Sequence, residues 1–228
     1  MKPAVMRFSR IGQQQQPLLV VDNFFPQPGQ LLHYALQQRE VRQATGLYPG
    51  LRSAAPAAFS EFLLQQLAQP IQHCFGLTPD QLQQVQSYFS LVCTPSAELS
   101  LLQSIPHFDR PCPDQLAAIY YLCGEQHGGT SFYRHRSTGY EAITPERQNH
   151  YQHALQADVQ KHGQPSGYIC GDTPLFEVIA TVPARFNRLV LYRCSSLHSG
   201  DIGPDYQYDL NPLSGRFTIA SFLSATSG

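Results

Sequence analysis

Residues 106–123 read PHFDRPCPDQLAAIYYLC, a short polar segment followed by a long apolar run. The run at residues 115–123 has the near-continuous apolar character of a β-strand that is buried on both faces. In the polar segment, one residue separates His107 from Asp109. If that segment is extended, these two side chains project to the same side. The stretch therefore predicts a central strand, with an imidazole and a carboxylate side by side shortly before it.

Further segments on both sides of this strand have the apolar, β-branched and aromatic composition of strands. They are Pro17–Phe25, Val85–Cys93, Thr130–Arg134, Leu175–Val182, Asn187–Arg193 and Arg216–Leu223. One polar segment interrupts them, Pro145–Lys161, which is helical in composition and flanked by glycine and proline. We interpret that segment as a helical insert at the surface.

The N-terminal third carries helical periodicity rather than strand alternation. Pro28–Arg39 and Ala57–Cys74 are predicted helices, and Pro79–Gln83 begins a possible third. Arg42–Pro56 is rich in glycine, proline and serine and is predicted to be a loop.

Two or three helices followed by about eight strands are typical of an α+β chain. We expect the strands to form a double-stranded β-helix, or jelly roll, with supporting N-terminal helices and a helical insert. A chain of 228 residues suits one domain. We expect a strand and supporting helices in residues 1–84, and a jelly-roll core in residues 85–228 with the insert at residues 137–174.

The composition excludes several classes of partner. The net charge is -1 and charged residues make up 14% of the chain, which gives no basic stripe for nucleic acid and no polybasic membrane anchor. No apolar run approaches the ~20 residues that span a bilayer, and the N-terminus lacks the apolar core of a secretory signal. The six cysteines include no C-x-x-C pair. We expect a cytoplasmic protein with reduced thiols; the sequence does not indicate its oligomeric state.

A metal site needs a third ligand, and His198 is the best candidate because it follows a predicted strand and precedes a glycine-containing turn. Two imidazoles and one carboxylate form a facial triad that suits non-haem Fe(II) with open positions. The H-x-D pattern also occurs by chance. Without a third ligand, His107 and Asp109 are therefore also compatible with a surface or capping role. His150 and His153 lie three residues apart on the predicted insert helix and could also bind a metal, although a solvated helix face explains them as well. For His127 and His135 we favour a structural role over ligation.

Five segments occur in an order that is similar to one enzyme family. They are PHFDRP (106–111), AIYYLC (118–123), GGTSFY (128–133), NRLVLYRCSSLHSG (187–200) and GRFTIASFL (215–223). From about Leu18 onwards the chain resembles the prolyl-4-hydroxylase-like branch of the 2-oxoglutarate/Fe(II) oxygenases. The resemblance implies iron ligation by His107, Asp109 and His198.

The resemblance also implies a site for 2-oxoglutarate. Arg216 corresponds to the family's basic residue, because a guanidinium matches a carboxylate as a planar fork. Thr218 and Tyr121 correspond to hydroxyl groups that bind the same carboxylate. Arg216 follows His198 by 18 residues, a longer interval than in many relatives. The intervening segment would have to loop out.

The implied activity is hydroxylation of an unactivated C–H bond with release of succinate and CO2. A small molecule, an amino acid or a peptide side chain would be the substrate, and the sequence does not choose among them. Two alternatives stay open. One is a cupin-like metal enzyme that does not use 2-oxoglutarate, and the other is a non-catalytic binding protein on the same fold.

Overall fold

The computed structural model describes residues 2–38, 40–78, 81–82 and 84–224. These residues form three α-helices, α1 (Pro28–Leu36), α2 (Ala57–Phe75) and α3 (Pro145–His162). They also form strands β1 (Val5–Ile11), β2 (Gln16–Asp22), β3 (Arg42–Gln43), β4 (Gly50–Ala54), β5 (Gln84–Val92), β6 (Leu116–Tyr121), β7 (Gly129–His135), β8 (Phe176–Pro183), β9 (Arg188–Arg193), β10 (His198–Asp201) and β11 (Phe217–Ser224).

The strands form two antiparallel sheets. The larger has eight strands in the order β1-β2-β9-β6-β11-β5-β4-β3, and the smaller has three in the order β10-β7-β8. The apolar run around residue 119 forms β6, which pairs with β9 on one side and β11 on the other. The large antiparallel sheets agree with the expected α+β class.

Alternate side chains of the large sheet enter two different cores, as strand geometry requires. On one face, Leu19 and Leu191 pack with α2, whose Phe59, Leu63 and Leu67 are fully buried. On the other face, side chains of β2, β6 and β9 meet the small sheet. This second core includes Val20, Ala117, Tyr121, Phe132, Val182 and Val190. The smaller sheet thus faces the inner side of the larger one.

Helix α3 is more than a solvated insert. Its Tyr151 and Leu155 are buried in a third cluster with Ile105, Tyr133 and Phe176. The rest of the helix is largely exposed, which accounts for its polar composition. The helix is therefore anchored to the small sheet by one narrow apolar edge.

The structure corrects the strand assignment in two regions of the chain. The predicted loop Arg42–Pro56 contains β3 and β4, and the N-terminal residues before the first predicted strand form β1. The helices and strands of the N-terminal third therefore alternate, instead of helices preceding a block of strands. Of the predicted helix start at Pro79–Gln83, the residues Pro79, Asp80 and Gln83 lie outside the described part.

A helix that crosses a bilayer must be both long and apolar. None of the helices in the described ranges is both long enough and apolar enough to cross a bilayer.

Candidate active site

The backbone brings His107 and His198 together. Although 91 positions apart in sequence, they form an isolated antiparallel bridge, in which each backbone N–H donates to the other's carbonyl oxygen at 2.9 Å. His198 is also the first residue of β10, which pairs with β7. Their imidazole rings consequently lie with centroids 4.4 Å apart.

Asp109 completes a compact group. Its backbone N–H donates to the carbonyl oxygen of Cys194 at 2.8 Å, which holds the residue beside the chain that leads to His198. Its carboxylate lies 3.8 Å from Nε2 of His107 and 3.7 Å from Nε2 of His198. One ligand atom from each of the three residues lies within 4.8 Å of the others. In the described part of the chain, no other such group of three ligating side chains occurs.

The hydrogen bonds around the group suit a metal ion. Nδ1 of buried His198 lies 3.0 Å from the carbonyl oxygen of Ser196 and donates to it, which leaves Nε2 as the nitrogen that can bind a metal. Oδ2 of Asp109 is buried without a hydrogen-bond partner. Burial raises the pKa of Asp109 and lowers the pKa of His107 well below its usual range. A dication would compensate the unpartnered carboxylate oxygen and prefers neutral imidazoles.

A cavity of about 960 Å³ lies beside this group, and Arg216 lines it as well. Arg216 is only 4% exposed. Its Nη2 donates to the carbonyl oxygen of Gly129 at 2.6 Å, while Nε has no partner. No described carboxylate lies within ion-pair distance of it. The cavity therefore contains a buried guanidinium without a counter-ion, an arrangement that favours an anionic ligand.

The two predicted hydroxyl residues lie in different positions. Thr218 lines the cavity, and its hydroxyl donates weakly to the carbonyl oxygen of Ser90 at 3.4 Å. Tyr121 is not among the residues that line the cavity, and its hydroxyl is hydrogen-bonded to that of Thr130 at 2.6 Å. Thr130 itself lines the cavity. Tyr121 instead presents its ring to Arg216, whose Cζ lies 6.0 Å from the ring centroid.

The remaining histidines of interest do not join the group of three. His135 is buried, with Nε2 3.2 Å from a carboxylate oxygen of Asp158. His150 hydrogen-bonds the hydroxyl of Tyr140 at 3.0 Å. Buried His135 thus fits a structural role, and exposed His150 fits a solvated helix face.

Tyr48 and Arg52 also line the cavity, and the sequence analysis did not single them out. Both lie in or beside β4, in the segment that was predicted to be a loop. The guanidinium carbon of Arg52 lies 4.4 Å from the centroid of the Tyr48 ring. A lone arginine in a segment rich in glycine and proline has no spacing signal, so only the strand assignment could have directed attention to it.

Solved structures share this fold. A Pseudomonas putida prolyl-4-hydroxylase is 14% identical with a TM-score of 0.50, over 94% of this chain and 95% of that chain. The epimerase SnoN, in complex with Fe3+, alpha ketoglutarate and nogalamycin RO, is 12% identical with a TM-score of 0.50, over 93% of this chain and 81% of that chain. The carbocyclase SnoK from nogalamycin biosynthesis, a non-heme alpha ketoglutarate dependent enzyme, is 14% identical with a TM-score of 0.50. The match covers 92% of this chain and 80% of that chain. No curated protein matches the chain.

The similarity at these low identities concerns the fold. Sequence comparison gives a more specific relationship, because a family model described as "Family of unknown function (DUF6445)" matches residues 2–223. That range covers nearly the entire chain of 228 residues. The chain therefore belongs to the DUF6445 family, whose function is unknown.

Proposed function

We propose that the protein is an Fe(II)- and 2-oxoglutarate-dependent oxygenase. The observation that carries the proposal is one cavity lined both by the group His107, Asp109 and His198 and by the buried, unpaired Arg216. A metal-ligating group and an anion-binding group in one cavity are what a chelating dicarboxylate cosubstrate requires. The fold, shared with enzymes described as alpha ketoglutarate dependent, supports the same conclusion.

The iron ligands in this proposal are His107, Asp109 and His198. Two neutral imidazoles and one carboxylate on one side of Fe(II) leave positions for a cosubstrate and O2. Bound iron and 2-oxoglutarate would supply the oxidising chemistry, with succinate and CO2 as products. The carbonyl of Ser196 orients the ring of His198, and the backbone bond to Cys194 keeps Asp109 in place.

The distal carboxylate of 2-oxoglutarate is assigned to Arg216 in this proposal. A buried guanidinium provides a planar fork for a carboxylate, and burial strengthens the pairing. Thr218 adds a hydroxyl from the cavity wall. We assign Tyr121 an indirect role, because its hydroxyl orients Thr130 rather than a ligand.

The outcome of oxidation and the substrate are further parts of the proposal. We propose hydroxylation of a C–H bond in a small molecule, an amino acid or a peptide side chain, by a cytoplasmic enzyme. The order of the five sequence segments favours the prolyl-4-hydroxylase-like branch and a double-stranded β-helix. Because the structural neighbours include an epimerase and a carbocyclase, the fold is compatible with other oxidative outcomes.

Anaerobic titration tests the metal and cosubstrate together. Fe(II) and 2-oxoglutarate should give a visible charge-transfer band with the wild-type protein. His198→Ala should abolish the band, whereas His150→Ala, which changes a histidine outside the cavity, should retain it. A wild-type protein that gives no band and does not bind 2-oxoglutarate would contradict the proposal and favour a metal enzyme of another kind or a binding protein. Succinate release across a panel of amino acids, peptides and small metabolites would then identify the substrate.

A further inference from the structure

Arg52 is a second cation in the wall of the proposed active site. It lies in the middle of β4 and lines the same cavity as Arg216. Ser90 of β5 pairs with Arg52 on one side and with Thr218 on the other. Since neighbouring strands are about 4.8 Å apart, the Cα atoms of Arg52 and Thr218 are roughly 10 Å apart. Arg52 and Thr218 therefore lie on the same face of the large sheet, with one strand between them.

The guanidinium of Arg52 is held firmly and yet leaves most of its donors unused. Nε donates to the hydroxyl of Ser90 at 3.2 Å. Its Cζ lies 4.4 Å from the ring centroid of Tyr48 and 5.7 Å from that of Tyr88. These contacts fix the position of the group. Within the described ranges no side chain or carbonyl accepts a hydrogen bond from its two terminal nitrogens, and no carboxylate forms an ion pair with it.

The cavity has an excess of positive charge. Among the described residues that line it are four arginines but only one glutamate and one aspartate, namely Arg42, Arg52, Arg110, Arg216, Glu40 and Asp109. Glu40 and Arg42 pair with each other at 3.5 Å and are both largely exposed. The charges of Fe(II) and of 2-oxoglutarate would cancel, so loading the proposed site leaves this excess unchanged. A chain whose net charge is -1 thus concentrates positive charge in one cavity.

We infer that the substrate carries a carboxylate and that Arg52 binds it, with 2-oxoglutarate held separately by Arg216. This inference rests on the proposed function and adds the chemical class of the substrate. The terminal nitrogens of Arg52 form a free, preoriented fork that matches a carboxylate in two parallel hydrogen bonds. The flanking rings of Tyr48 and Tyr88 add an apolar surface for the adjoining part of the substrate.

Calorimetric titration of the anaerobic protein loaded with Fe(II) and 2-oxoglutarate tests the inference. The probes are hexanoate, benzoate and hippurate, each paired with its neutral amide. At least one carboxylate should bind about tenfold more tightly than its amide, because the amide lacks the charge. Arg52→Gln should weaken the binding of that carboxylate by about tenfold or more, and Arg52→Lys should restore part of the lost affinity. The dissociation constant of Arg52→Gln for 2-oxoglutarate should stay within about threefold of the wild-type value, because Arg216 is intact.

Arg42→Gln is the matched control, since it removes one positive charge from the rim of the same cavity. It should weaken carboxylate binding less than about threefold, because Arg42 is exposed and screened by solvent. Equal losses in Arg42→Gln and Arg52→Gln would overturn the inference. So would the absence of any preference for the carboxylates, or loss of 2-oxoglutarate binding in Arg52→Gln, which would make Arg52 the cosubstrate residue. A wild-type protein without a charge-transfer band would instead overturn the proposed function, and this inference with it.

Discussion

The position of each candidate ligand depends on backbone contacts that the spacing of the residues does not describe. His107 and Asp109 are close because the first forms a bridge with His198 and the second bonds to Cys194. The H-x-D segment is thus held by two separate anchor points on the chain around His198. A change that disturbs residues 194–198 should therefore disturb all three candidate ligands together.

Arg216 is the residue that separates a 2-oxoglutarate enzyme from other metal enzymes. Arg216→Ala should weaken 2-oxoglutarate binding by about 10- to 100-fold, since it removes charge-assisted hydrogen bonds worth about 1.5–3 kcal/mol. Iron affinity should remain close to wild type, because Arg216 contacts none of the candidate ligands. Titration of 2-oxoglutarate, followed by the charge-transfer band, measures the first quantity, and Fe(II) binding measures the second. Equal 2-oxoglutarate affinity in both proteins would assign the cosubstrate carboxylate to another residue.

Asp22 stabilises the fold through two arginines. It accepts hydrogen bonds from Nε and Nη2 of Arg188 at 2.6 and 3.1 Å, and from Arg7 at 2.7 Å. The hydrogen bond from Arg188, with a smaller contribution from Arg7, lowers the pKa of Asp22 to about 2 from its ordinary value of 3.8. Because the folded-state pKa is depressed, the stabilisation is complete above about pH 4 and is lost as the pH falls towards 2.

Asp22→Asn should lower the free energy of unfolding by about 2 kcal/mol at pH 7, in line with that pKa difference. The gap between variant and wild type should narrow between about pH 4 and pH 2, as Asp22 becomes protonated in the wild type. Urea unfolding across this pH range provides the measurement. Glu40→Gln is the control, and it should cost less than about 0.5 kcal/mol because its ion pair is exposed. A gap that stays constant with pH would refute the role assigned to the charge of Asp22.

At the level of elements, sequence patterns predicted the parts of the fold that are buried on both faces. The apolar runs correctly gave β2, β6 and β9, because burial on both faces leaves a nearly continuous apolar sequence. Strand β5, in which Gln86 is exposed, was predicted from its apolar and aromatic composition instead. The exposed edge strand β1 has no such pattern, and neither does the short β3. Their pairing depends on the neighbouring strand, which local composition does not reveal.

Sequence patterns likewise predicted some residues of the candidate site and not others. His107, Asp109 and His198 could be selected because a short spacing and the order of strands pointed to them, and the structure brings them together. Arg52 could not, because it lies on a strand whose sequence resembles a loop. Tyr121 was selected by its sequence position, but whether its hydroxyl reaches the cavity depends on the hydrogen bond to Thr130.

The β1–β2 hairpin is anchored to the rest of the protein by Glu141, which is fully buried. Its two carboxylate oxygens accept hydrogen bonds from the backbone N–H groups of Gln13 and Gln14 at 2.9 and 2.8 Å. Arg134 donates to the same carboxylate, from Nε at 2.8 Å and from Nη2 at 2.5 Å. Gly12 precedes these residues with a φ of 67°, and a Cβ atom there would lie 2.1 Å from the carboxylate. The turn thus fits closely over a buried charge.

Glu141→Gln should destabilise the protein by about 2–3 kcal/mol, because a partly buried arginine and two backbone donors lose a fully buried charged acceptor. Hydrogen exchange of the Gln13 and Gln14 amides should accelerate more than exchange in β6. Glu177→Gln is the matched control, since Glu177 pairs with the same Arg134 at 2.8 Å but is 40% exposed. It should cost less than about 1 kcal/mol. Equal costs for the two variants would contradict an anchoring role for Glu141.

For the whole molecule, the candidate site lies where the two sheets face each other, and residues from both contribute to it. Thr218 belongs to the large sheet, whereas His198 and Thr130 belong to the small one. Helix α2 covers the opposite face of the large sheet and does not line the cavity. A ligand in the cavity would therefore contact both sheets, and its binding should oppose their separation during unfolding.

Thermal unfolding with Mn(II) and 2-oxoglutarate, at about 100 times their dissociation constants, tests this coupling between ligand binding and stability. A ligand that binds only the folded state at that excess contributes about 2.7 kcal/mol. In a domain of this size, each of the two ligands should therefore raise the Tm by roughly 5–10 °C. Arg216→Ala should retain the increase due to Mn(II) alone but lose about half or more of the further increase due to 2-oxoglutarate, and His198→Ala should lose both. A further increase with 2-oxoglutarate that is as large in Arg216→Ala as in the wild type would mean that the cosubstrate binds elsewhere. No increase in the wild type would mean that the cavity does not couple these ligands to the fold.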